Sequence, residues 1–423
     1  MKILLANNHF SNNGGADAYT YNTGNVLREN GHQVFFFASD RGNFFEENYE
    51  YSRYFPQYIT YRSLPKSDLL KNIFRPLYNF EAKEKLNLYL KEIKPDIVHC
   101  NSISYHLTPS ILDSCYKNNI PVVMTLHDTR FLCPAGTMLL STENYCQNEL
   151  CITGNPIHCL ANRCKYKSLP ASTLATFEYF FNKYLRLFDK VSVFICPSKA
   201  LLELAARSGI PREKLVHINN FIDDSYFKSE PEYSNKGYFL YAGRLVKEKG
   251  VHYLLEAMRK IPDIELHIVG SGLEEDNLKQ LASNLSNVKF LGFKSGQDLE
   301  NEYKNCIASI LPSNYFEIFG LTIVESFAYG KPVIGSNIGA IPEIIENSRN
   351  GIIFESENAD DLAQAIRQLN SNRALLYEMG QNASLKAKSM YISNIHYSKL
   401  IEAYKSVAGF TQKRKMINII GLN

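Results

Sequence analysis

Short apolar runs alternate with longer segments of helical period along most of the chain. The first half contains apolar runs at 2–6, 33–39, 96–100, 121–126, 191–196 and 214–218. The second half contains similar runs at 238–243, 264–270, 288–293, 307–313 and 331–336. These runs are nearly continuous in Ile, Val, Leu and Phe, which is typical of strands covered by helices on both faces. The pattern therefore predicts an α/β protein with parallel sheets.

A polar, turn-rich stretch at 219–237 interrupts this rhythm and divides it into two α/β series. We predict an N-terminal domain at 1–220, a linker at 221–236 and a second domain at 237–390. A final helix at 391–410 is expected to pack back toward the N-terminal domain. Two doubly wound domains of this kind face each other across a cleft at the carboxyl ends of their strands.

Composition and charge narrow the classes of function. A length of 423 residues suits two domains, and the formal net charge of +3 is small for that length. Since no long Lys/Arg stripe appears, nucleic acid is not an expected partner. The start, "MKILLANNHF", lacks the apolar core of a signal peptide, and no apolar run reaches the roughly 18 residues of a membrane span. We therefore expect a cytoplasmic protein, which can still contact the inner face of the cell membrane.

One segment carries the first chemical signal. Residues 314–336 read "NYFEIFGLTIVESFAYGKPVIGS", with Glu317 in a loop and Glu325 within an apolar helix. Gly320 opens that helix, where free backbone N–H groups form an anion site. A phosphate bound there would lie between the two carboxylates. A lone helix glutamate usually faces solvent, but the apolar neighbours of Glu325 leave little polar face for it.

The segment "EIFGLTIVESFAYGKPVI" resembles the E-x7-E element of retaining glycosyltransferases of family 4, also described as glycosyl transferases group 1. The resemblance extends over nearly the whole chain. It implies the GT-B fold of two Rossmann-like domains, with acceptor binding in the first and nucleotide-sugar binding in the second. It also implies that Glu317 holds the donor sugar and Glu325 the ribose, and that Phe319, Gly320 and Leu321 border the donor.

Two motifs of the N-terminal domain match the same family. "NNGGADAYT" at 12–20 resembles its Gly-Gly loop and places Gly15 at the diphosphate or the acceptor. "TLHDTR" at 125–130 resembles its His-Asp pair. The resemblance implies that His127 faces the donor sugar and that Asp128 supports His127.

Three motifs of the C-terminal domain match as well. "GRLVKEKG" at 243–250 resembles the family's GR-x4-KG element, which implies that Arg244 and Lys249 hold the phosphates. "IVGSGLEED" at 268–276 resembles a dinucleotide fingerprint but lacks the third glycine, so we place Gly270 and Gly272 beside a nucleotide sugar instead. In "VIGSNIGAIPEII" at 333–345, we expect Gly339 and Glu343 to serve structure before chemistry.

Five of the nine cysteines lie within an insertion at 133–164. Cys146, Cys151, Cys159 and Cys164 give a C-x4-C-x7-C-x4-C spacing that can fit a structural zinc ion. Free thiols are the main alternative, and disulfides are a third. A zinc ion held by all four thiolates would be structural, so catalysis itself is predicted to require no cofactor.

Basic residues are interleaved with aromatic or apolar ones at 51–80 and 412–423. Such segments suit an anionic membrane surface and a lipid-linked acceptor, although an ordinary packing face and a terminal tail explain them equally well.

These observations predict a transferase of the hexosyltransferase type. It would move a sugar from a nucleoside diphosphate to a sugar or lipid-linked acceptor, in bacterial surface polysaccharide or glycolipid synthesis. The partners implied are a nucleotide sugar, that acceptor and a membrane surface. A nucleotide-sugar epimerase of the same fold and a non-catalytic sugar-binding protein remain alternatives.

Overall fold

The structure, a computed structural model, describes residues 1–11, 14–42, 44–60, 74–140, 145–146, 149–227 and 237–420. Of residues 153–154 and 409–420 it describes the backbone alone. No helix in these ranges is both long and apolar enough to cross a bilayer.

A six-stranded parallel sheet forms the N-terminal domain, with the strand order β2-β1-β3-β4-β5-β6. Its strands are Lys2–Ala6 (β1), Gln33–Phe37 (β2), Ile97–Cys100 (β3), Val122–Thr125 (β4), Val193–Cys196 (β5) and Leu215–His217 (β6). The helices around it are Gly15–Glu29 (α1), Phe80–Ile93 (α2), Ile111–Lys117 (α3), Ile157–Ala161 (α4), Leu169–Tyr184 (α5) and Lys199–Arg207 (α6).

A second six-stranded parallel sheet forms the C-terminal domain, with the order β9-β8-β7-β10-β11-β12. Its strands are Tyr238–Ala242 (β7), Glu265–Val269 (β8), Val288–Gly292 (β9), Ser309–Leu311 (β10), Val333–Ser336 (β11) and Gly351–Phe354 (β12). Its helices are Val251–Arg259 (α7), Glu275–Leu281 (α8), Gly296–Asn305 (α9), Leu321–Ala328 (α10), Ile341–Ile344 (α11), Ala359–Ser371 (α12) and Arg373–Met390 (α13). Counted from β7, this order is that of a Rossmann domain, whose ligands bind where the order reverses, here between β7 and β10.

The predicted fold class is confirmed, and eleven of the twelve strands coincide with predicted apolar runs, mostly with shorter ends. The run at 2–6 is matched residue for residue by β1. Gly31 takes the left-handed conformation after α1, with φ 77°, as a glycine at a helix end commonly does. Strand β12 was not predicted, because its four residues form too short an apolar run to stand out from the turn before it.

A last helix, Ser393–Ile420 (α14), returns the chain to the N-terminal domain. Leu400, Ile401 and Tyr404 of this helix are buried in the core built around β1 to β5. The chain passes between the two domains twice, and a hydrogen bond joins the two connecting segments. The amide of Ile222 donates to the carbonyl of Tyr391.

The basic and aromatic segment at 51–80 is only partly described, since 61–73 lie outside the described residues. In the described part, the ring of Tyr54 stacks on Tyr89 of α2 at 4.9 Å, and Arg53 pairs with Glu92. This part therefore packs on its own domain, as the simpler interpretation of the segment predicts. Residues 421–423 of the second such segment are also outside the description.

Candidate active site

The chain places two loops together where the order of the C-terminal sheet reverses. One loop follows β7 and carries Arg244 and Lys249, and the other follows β10 and carries Glu317. The amide of Asn314 donates to the carbonyl of Glu248 at 3.1 Å, which fastens one loop to the other. The fold thus brings together three of the residues that the sequence predicted to act on the donor.

An ion pair forms the centre of this site. Lys249 Nζ lies 2.5 Å from Glu317 Oε1 and 3.3 Å from the hydroxyl of Tyr315. Ser313 Oγ donates to Glu317 Oε1 at 2.6 Å, and Tyr315 donates to Oε2 at 3.1 Å. Glu317 is 4% exposed, and three side chains hold its carboxylate in this nearly buried position.

The electrostatics keep both partners charged. Burial raises the pKa of Glu317, but Lys249 and the hydrogen bonds from Ser313 and Tyr315 outweigh it, so the net shift is downward. Burial likewise lowers the pKa of Lys249. The Glu317 carboxylate outweighs this effect, so the net shift of the lysine pKa is upward. As a pair the two side chains are neutral. The net positive charge at the site therefore comes from Arg244, which is exposed.

Glycines allow the two loops to approach each other. Gly250 has φ 67°, and a Cβ there would lie 1.9 Å from the carbonyl oxygen of Pro312. Gly339 has φ 61°, and a Cβ there would lie 2.5 Å from the carbonyl oxygen of Glu317. The carbonyl of Glu317 also accepts the amide of Ala340 at 2.9 Å. Gly339 is thus structural, as predicted, and it positions the backbone of the catalytic candidate Glu317.

Gly270 and Gly272, predicted beside the nucleotide, lie against the loop after β7. A Cβ at Gly270 would lie 1.9 Å from the carbonyl oxygen of Gly243, and a Cβ at Gly272 would lie 2.2 Å from that of Leu245. Close packing of these two loops therefore accounts for both glycines. It also holds the backbone on either side of Arg244.

Helix α10 begins next to the ion pair. Its N-cap is Gly320, with φ 87°, and Leu321 is its first residue, as predicted. No side chain caps this end, and the first amides of an uncapped helix can bind an anion. Phe319, predicted to border the donor, has its side chain in the core, with its ring 5.6 Å from that of Tyr391. Only the backbone of Phe319 remains for donor contact.

Glu325 lies one helical turn further into α10, within a group of tyrosines. The hydroxyl of Tyr303 donates to Glu325 Oε2 at 3.0 Å, and Tyr226 also donates to this carboxylate. Burial raises the pKa of Glu325, with the two tyrosine hydroxyls opposing the shift. The carboxylate is therefore a fixed, partly desolvated acceptor on the opposite side of the α10 start from Glu317.

The N-terminal domain faces this site directly. A Cβ at Gly15, the first residue of α1, would lie 3.3 Å from Cδ1 of Leu321 at the start of α10. His127 follows β4, and its Nε2 lies 2.9 Å from Asn101 Oδ1, so Nε2 carries the hydrogen. Burial lowers the pKa of His127 to about 3. The imidazole is thus neutral at physiological pH, with Nδ1 as its acceptor atom.

The predicted support of His127 by Asp128 is wrong. Asp128 Oδ1 accepts the amide of Arg130 at 2.9 Å, and Oδ2 lies 3.7 Å from the same guanidinium. Asn101, which follows β3, and the ring of Tyr19 at 4.8 Å position His127 instead. Asp128 acts as the turn residue after β4, and its carboxylate points toward Arg130.

The cysteine-rich insertion does not form the predicted zinc site. Among the described residues no three His, Cys, Asp or Glu side chains are placed to hold a metal ion, and all nine cysteines are free. Cys151 Sγ directs its hydrogen at the carbonyl of Pro156 (3.8 Å), and Cys159 and Cys164 share a thiol hydrogen bond. The described cysteines are therefore not arranged as a tetrahedral metal site, and the free-thiol alternative agrees with the structure.

Several residues of the site had no individual signal in the sequence. They are the groups that hold the predicted residues, namely Ser313, Tyr315, Tyr226, Tyr303 and Asn101. Their positions could be predicted in part, because Ser313 ends a predicted strand, Asn101 directly follows one and Tyr315 lies two residues beyond one. The ligands of doubly wound domains bind at such strand ends. Tyr226 and Tyr303 come from remote segments that only folding brings to Glu325.

Two family models match the chain, and together they cover most of it. Residues 13–226 match the model described as glycosyltransferase family 4, which spans half of the chain. Residues 223–386 match the model described as glycosyl transferases group 1. The two matches meet at the crossing between the domains.

Individual proteins are similar to parts or all of the chain. An uncharacterized glycosyltransferase of Methanocaldococcus jannaschii is 29% identical over 242 residues, or 53% of this chain and 62% of that protein. The lipopolysaccharide core biosynthesis glycosyltransferase LpsE of Rhizobium meliloti is 33% identical over 141 residues, or 33% of this chain and 42% of that protein. The chain thus spans roughly half the length of the curated relatives it matches.

The crystal structure of Anabaena HepE in complex with UDP-glucose superposes over 96% of this chain and all of that one. Its TM-score is 0.67 at 20% sequence identity. This likeness establishes the fold as GT-B, with two Rossmann-like domains.

Proposed function

The chain belongs to glycosyltransferase family 4, and on this premise we propose that it is a retaining glycosyltransferase. It takes a sugar from a nucleoside diphosphate donor and transfers it to a hydroxyl of a sugar or lipid-linked acceptor. One observation carries the proposal. A positively charged loop, a fixed carboxylate and an uncapped helix start converge where the C-terminal sheet reverses its strand order, and Gly15 of the N-terminal domain approaches the helix start.

The diphosphate is the part of the donor that this site accommodates best. When the bond to the sugar breaks, negative charge collects on the departing phosphate, and fixed positive groups stabilise that charge. Arg244 and the first amides of α10 supply such groups. Lys249 adds a third, since a bound phosphate can share its ammonium with Glu317.

The two carboxylates then recognise hydroxyls on either side of the diphosphate. Glu325, fixed by Tyr303 and Tyr226, accepts from the ribose. Glu317 accepts from the transferred sugar. Because three side chains already orient its carboxylate, the sugar meets a preorganised acceptor. The similarity to HepE, whose structure is a complex with UDP-glucose, favours a uridine nucleotide as the donor to test first.

His127 completes the donor site from the other domain. Its neutral ring presents Nδ1 as an acceptor while Nε2 is held by Asn101. In a retaining transfer that proceeds without an enzyme nucleophile, the acceptor hydroxyl attacks from the face that the phosphate leaves. A phosphate oxygen of the donor then takes the hydroxyl proton, and His127 orients the sugar for this geometry.

A role in surface polysaccharide or glycolipid synthesis is our proposal for the pathway, supported by the similarity to a lipopolysaccharide glycosyltransferase. The protein would then act on the cytoplasmic side of the cell membrane.

The decisive experiment incubates the purified protein with a panel of nucleotide sugars, with and without acceptor sugars, and measures nucleoside diphosphate release. We expect release that depends on an acceptor, and a product whose anomeric configuration, followed by NMR, matches that of the donor. An epimerase would interconvert donors or release nucleotide with no acceptor present. A sugar-binding protein would bind a nucleotide sugar and release nothing. Inversion of configuration would contradict the retaining mechanism.

A further inference from the structure

Helix α5 in the N-terminal domain has the reverse of the burial pattern expected for a helix on a water-exposed surface. The side chains that it buries are small or polar, namely Ser172, Ala175, Thr176 and Asn182. The side chains that it exposes are large and apolar, namely Leu169, Leu174, Phe177, Phe180 and Tyr184. A helix that only covers a core shows the opposite pattern.

The exposed groups form one continuous surface. Phe177, Phe180 and Tyr184 recur at spacings of three and four residues, which places them on one side of the helix. They are 52%, 41% and 84% exposed, respectively. Tyr166, which precedes α5, and Ile157, the first residue of α4, are 78% and 49% exposed. We call this surface the aromatic face, and contiguous exposed surfaces of this kind mark interaction sites.

Basic residues surround the aromatic face. Residues 157–186 contain five Lys and Arg and one Glu, a local excess of four positive charges, whereas the whole chain carries only +3. Arg163, Lys167, Lys183 and Arg186 are all exposed. A helix with exposed Phe, Tyr and Leu flanked by Lys and Arg is the arrangement that lies in the interface of an anionic bilayer.

The same helix lines a cavity that also reaches His127. The cavity has a volume of about 260 Å³, and its lining includes His127 and Asn101 together with Asn182 and Lys183 of α5. Two buried polar atoms of its lining, Asn101 Nδ2 and Asn182 Oδ1, have no hydrogen-bond partner within the described part of the chain. One is a donor and the other an acceptor, so the pair suits hydroxyl groups.

We propose that the aromatic face docks the protein on an anionic lipid bilayer, so that the cavity under α5 receives the hydroxyl-bearing end of a lipid-linked acceptor. The inference extends the proposed function, on which the identity of the acceptor rests. The aromatic side chains enter the interface while the basic residues contact lipid phosphates. A bilayer satisfies both features at once, because its headgroups are anionic and its interior is apolar.

Vesicle co-sedimentation tests the docking without any assay of activity. The full chain is mixed with vesicles of phosphatidylglycerol and phosphatidylcholine, and separately with pure phosphatidylcholine. We expect binding to the anionic vesicles that weakens in 0.5 M salt. The double variant Phe177→Ser/Tyr184→Ser should bind at least about tenfold more weakly, since burial of even one such ring is worth more than 1.4 kcal/mol. Replacing Arg163 and Lys167 by Gln should cost about fivefold per residue.

The matched control is Phe293→Ser/Tyr377→Ser, which removes two rings of the C-terminal domain that are 74% and 50% exposed. It should bind vesicles like the unsubstituted protein. Thermal unfolding should show both double variants folded, because all four side chains are solvent-exposed.

Three results would overturn the inference. They are equal binding by Phe177→Ser/Tyr184→Ser and the unsubstituted protein, equal binding to neutral and anionic vesicles, and a concentration-dependent dimer in vesicle-free solution that this double variant abolishes. Nucleoside diphosphate release with a water-soluble acceptor separates this test from the proposed function. If release persists in the double variant and vesicle binding never occurs, the function stands and the docking surface is refuted.

Discussion

The carboxylate of Glu343 in the C-terminal domain accepts the backbone amide of Lys199, at the start of α6 in the N-terminal domain, at 2.8 Å. It also accepts the amide of Ala200. A carboxylate at a helix N-terminus is stabilised both by the free amides and by the helix dipole. The bond crosses the cleft, so it favours the orientation in which the two halves of the site face each other.

We therefore predict that Glu343→Ala loosens the relative orientation of the domains. The radius of gyration from small-angle X-ray scattering should increase, and the KM for the donor should rise severalfold. The free energy of unfolding should fall by about 1 kcal/mol, the typical value of a helix cap. The control is Glu346→Ala, which removes a carboxylate that pairs with Lys386 inside the C-terminal domain. An unchanged scattering profile and KM in Glu343→Ala would show that the bond does not influence closure.

A second prediction concerns the ion pair of Lys249 and Glu317. Glu317→Gln keeps the shape of the side chain but leaves the ammonium of Lys249 without its charge partner in a largely desolvated site. Removing one member of such a pair costs about 3 kcal/mol of folding stability, measured by urea unfolding. Activity should fall by about a hundredfold or more in kcat, because the sugar loses its fixed acceptor.

The control for this pair is Lys304→Gln, which removes a half-buried i,i+4 partner of Glu300 that lies away from the site. It should change the free energy of unfolding by less than about 0.5 kcal/mol. If Glu317→Gln is equally mild in both stability and kcat, the proposed centre of the site is misplaced.

A third prediction separates nucleotide binding from chemistry. Glu325→Ala should weaken binding of the free nucleoside diphosphate by about tenfold, since the ribose loses a charged acceptor. Arg244→Ala should lower kcat more than it weakens binding of the intact donor, because the positive charge matters most when the phosphate departs. Calorimetric titration and steady-state kinetics measure the two effects. A purely kinetic effect of Glu325→Ala would contradict its assignment to the ribose.

A fourth prediction follows from buried histidines near the crossing between domains. Burial lowers the pKa of His99 and His127 to about 3 and that of His396 to about 4. Their ordinary pKa is 6.5, so below that pH the unfolded chain binds protons that the folded protein does not. Stability is therefore lost as the pH falls from 6.5 toward 4. Each histidine contributes up to about 1.4 kcal/mol per pH unit to the slope.

Urea unfolding measured between pH 7 and pH 4.5 tests this dependence. His396→Asn should reduce the slope by about one proton, because it removes a histidine whose pKa burial lowers to about 4. A slope in His396→Asn equal to that of the unsubstituted protein would mean that His396 is protonated in the folded state.

The fold was predictable because its signal is local. Each buried parallel strand is a run of apolar residues, and the pattern between 2 and 336 located eleven strands without any tertiary information. The charged residues of the site could also be predicted from the sequence, since Lys249 and Glu317 belong to motifs with a physical rationale. Strand β12 escaped because four residues are too few to define a period.

The supports of the site were not predictable in the same way. Asn101 holds His127 from 26 residues away, and Tyr303 holds Glu325 from 22 residues away in another helix. Such partners depend on how strands are ordered in the sheet. The zinc hypothesis failed for a related reason, because cysteine spacing does not show that local partners, such as the carbonyl of Pro156, occupy the thiols.

Gly339 provides the last prediction, because it separates backbone strain from steric contact. Gly339→Ala would suffer both backbone strain and a steric clash. The residue has φ 61°, and a Cβ there would lie 2.5 Å from the carbonyl oxygen of Glu317. Gly31→Ala would suffer the backbone strain alone, because Gly31 has φ 77° but nothing lies within 4 Å of its hypothetical Cβ. We expect Gly31→Ala to cost about 1 kcal/mol, as a left-handed alanine does, and to leave kcat unchanged.

Gly339→Ala should cost distinctly more than Gly31→Ala and should also lower kcat, because the loop that carries Glu317 must move to admit the methyl group. A shift of 1 Å at a positioning group can lower a rate about a hundredfold. Urea unfolding and steady-state kinetics on both variants measure the difference. Equal stability losses with kcat preserved in both would show that Glu317 does not depend on this contact, and that its position comes from Ser313, Tyr315 and Lys249 alone.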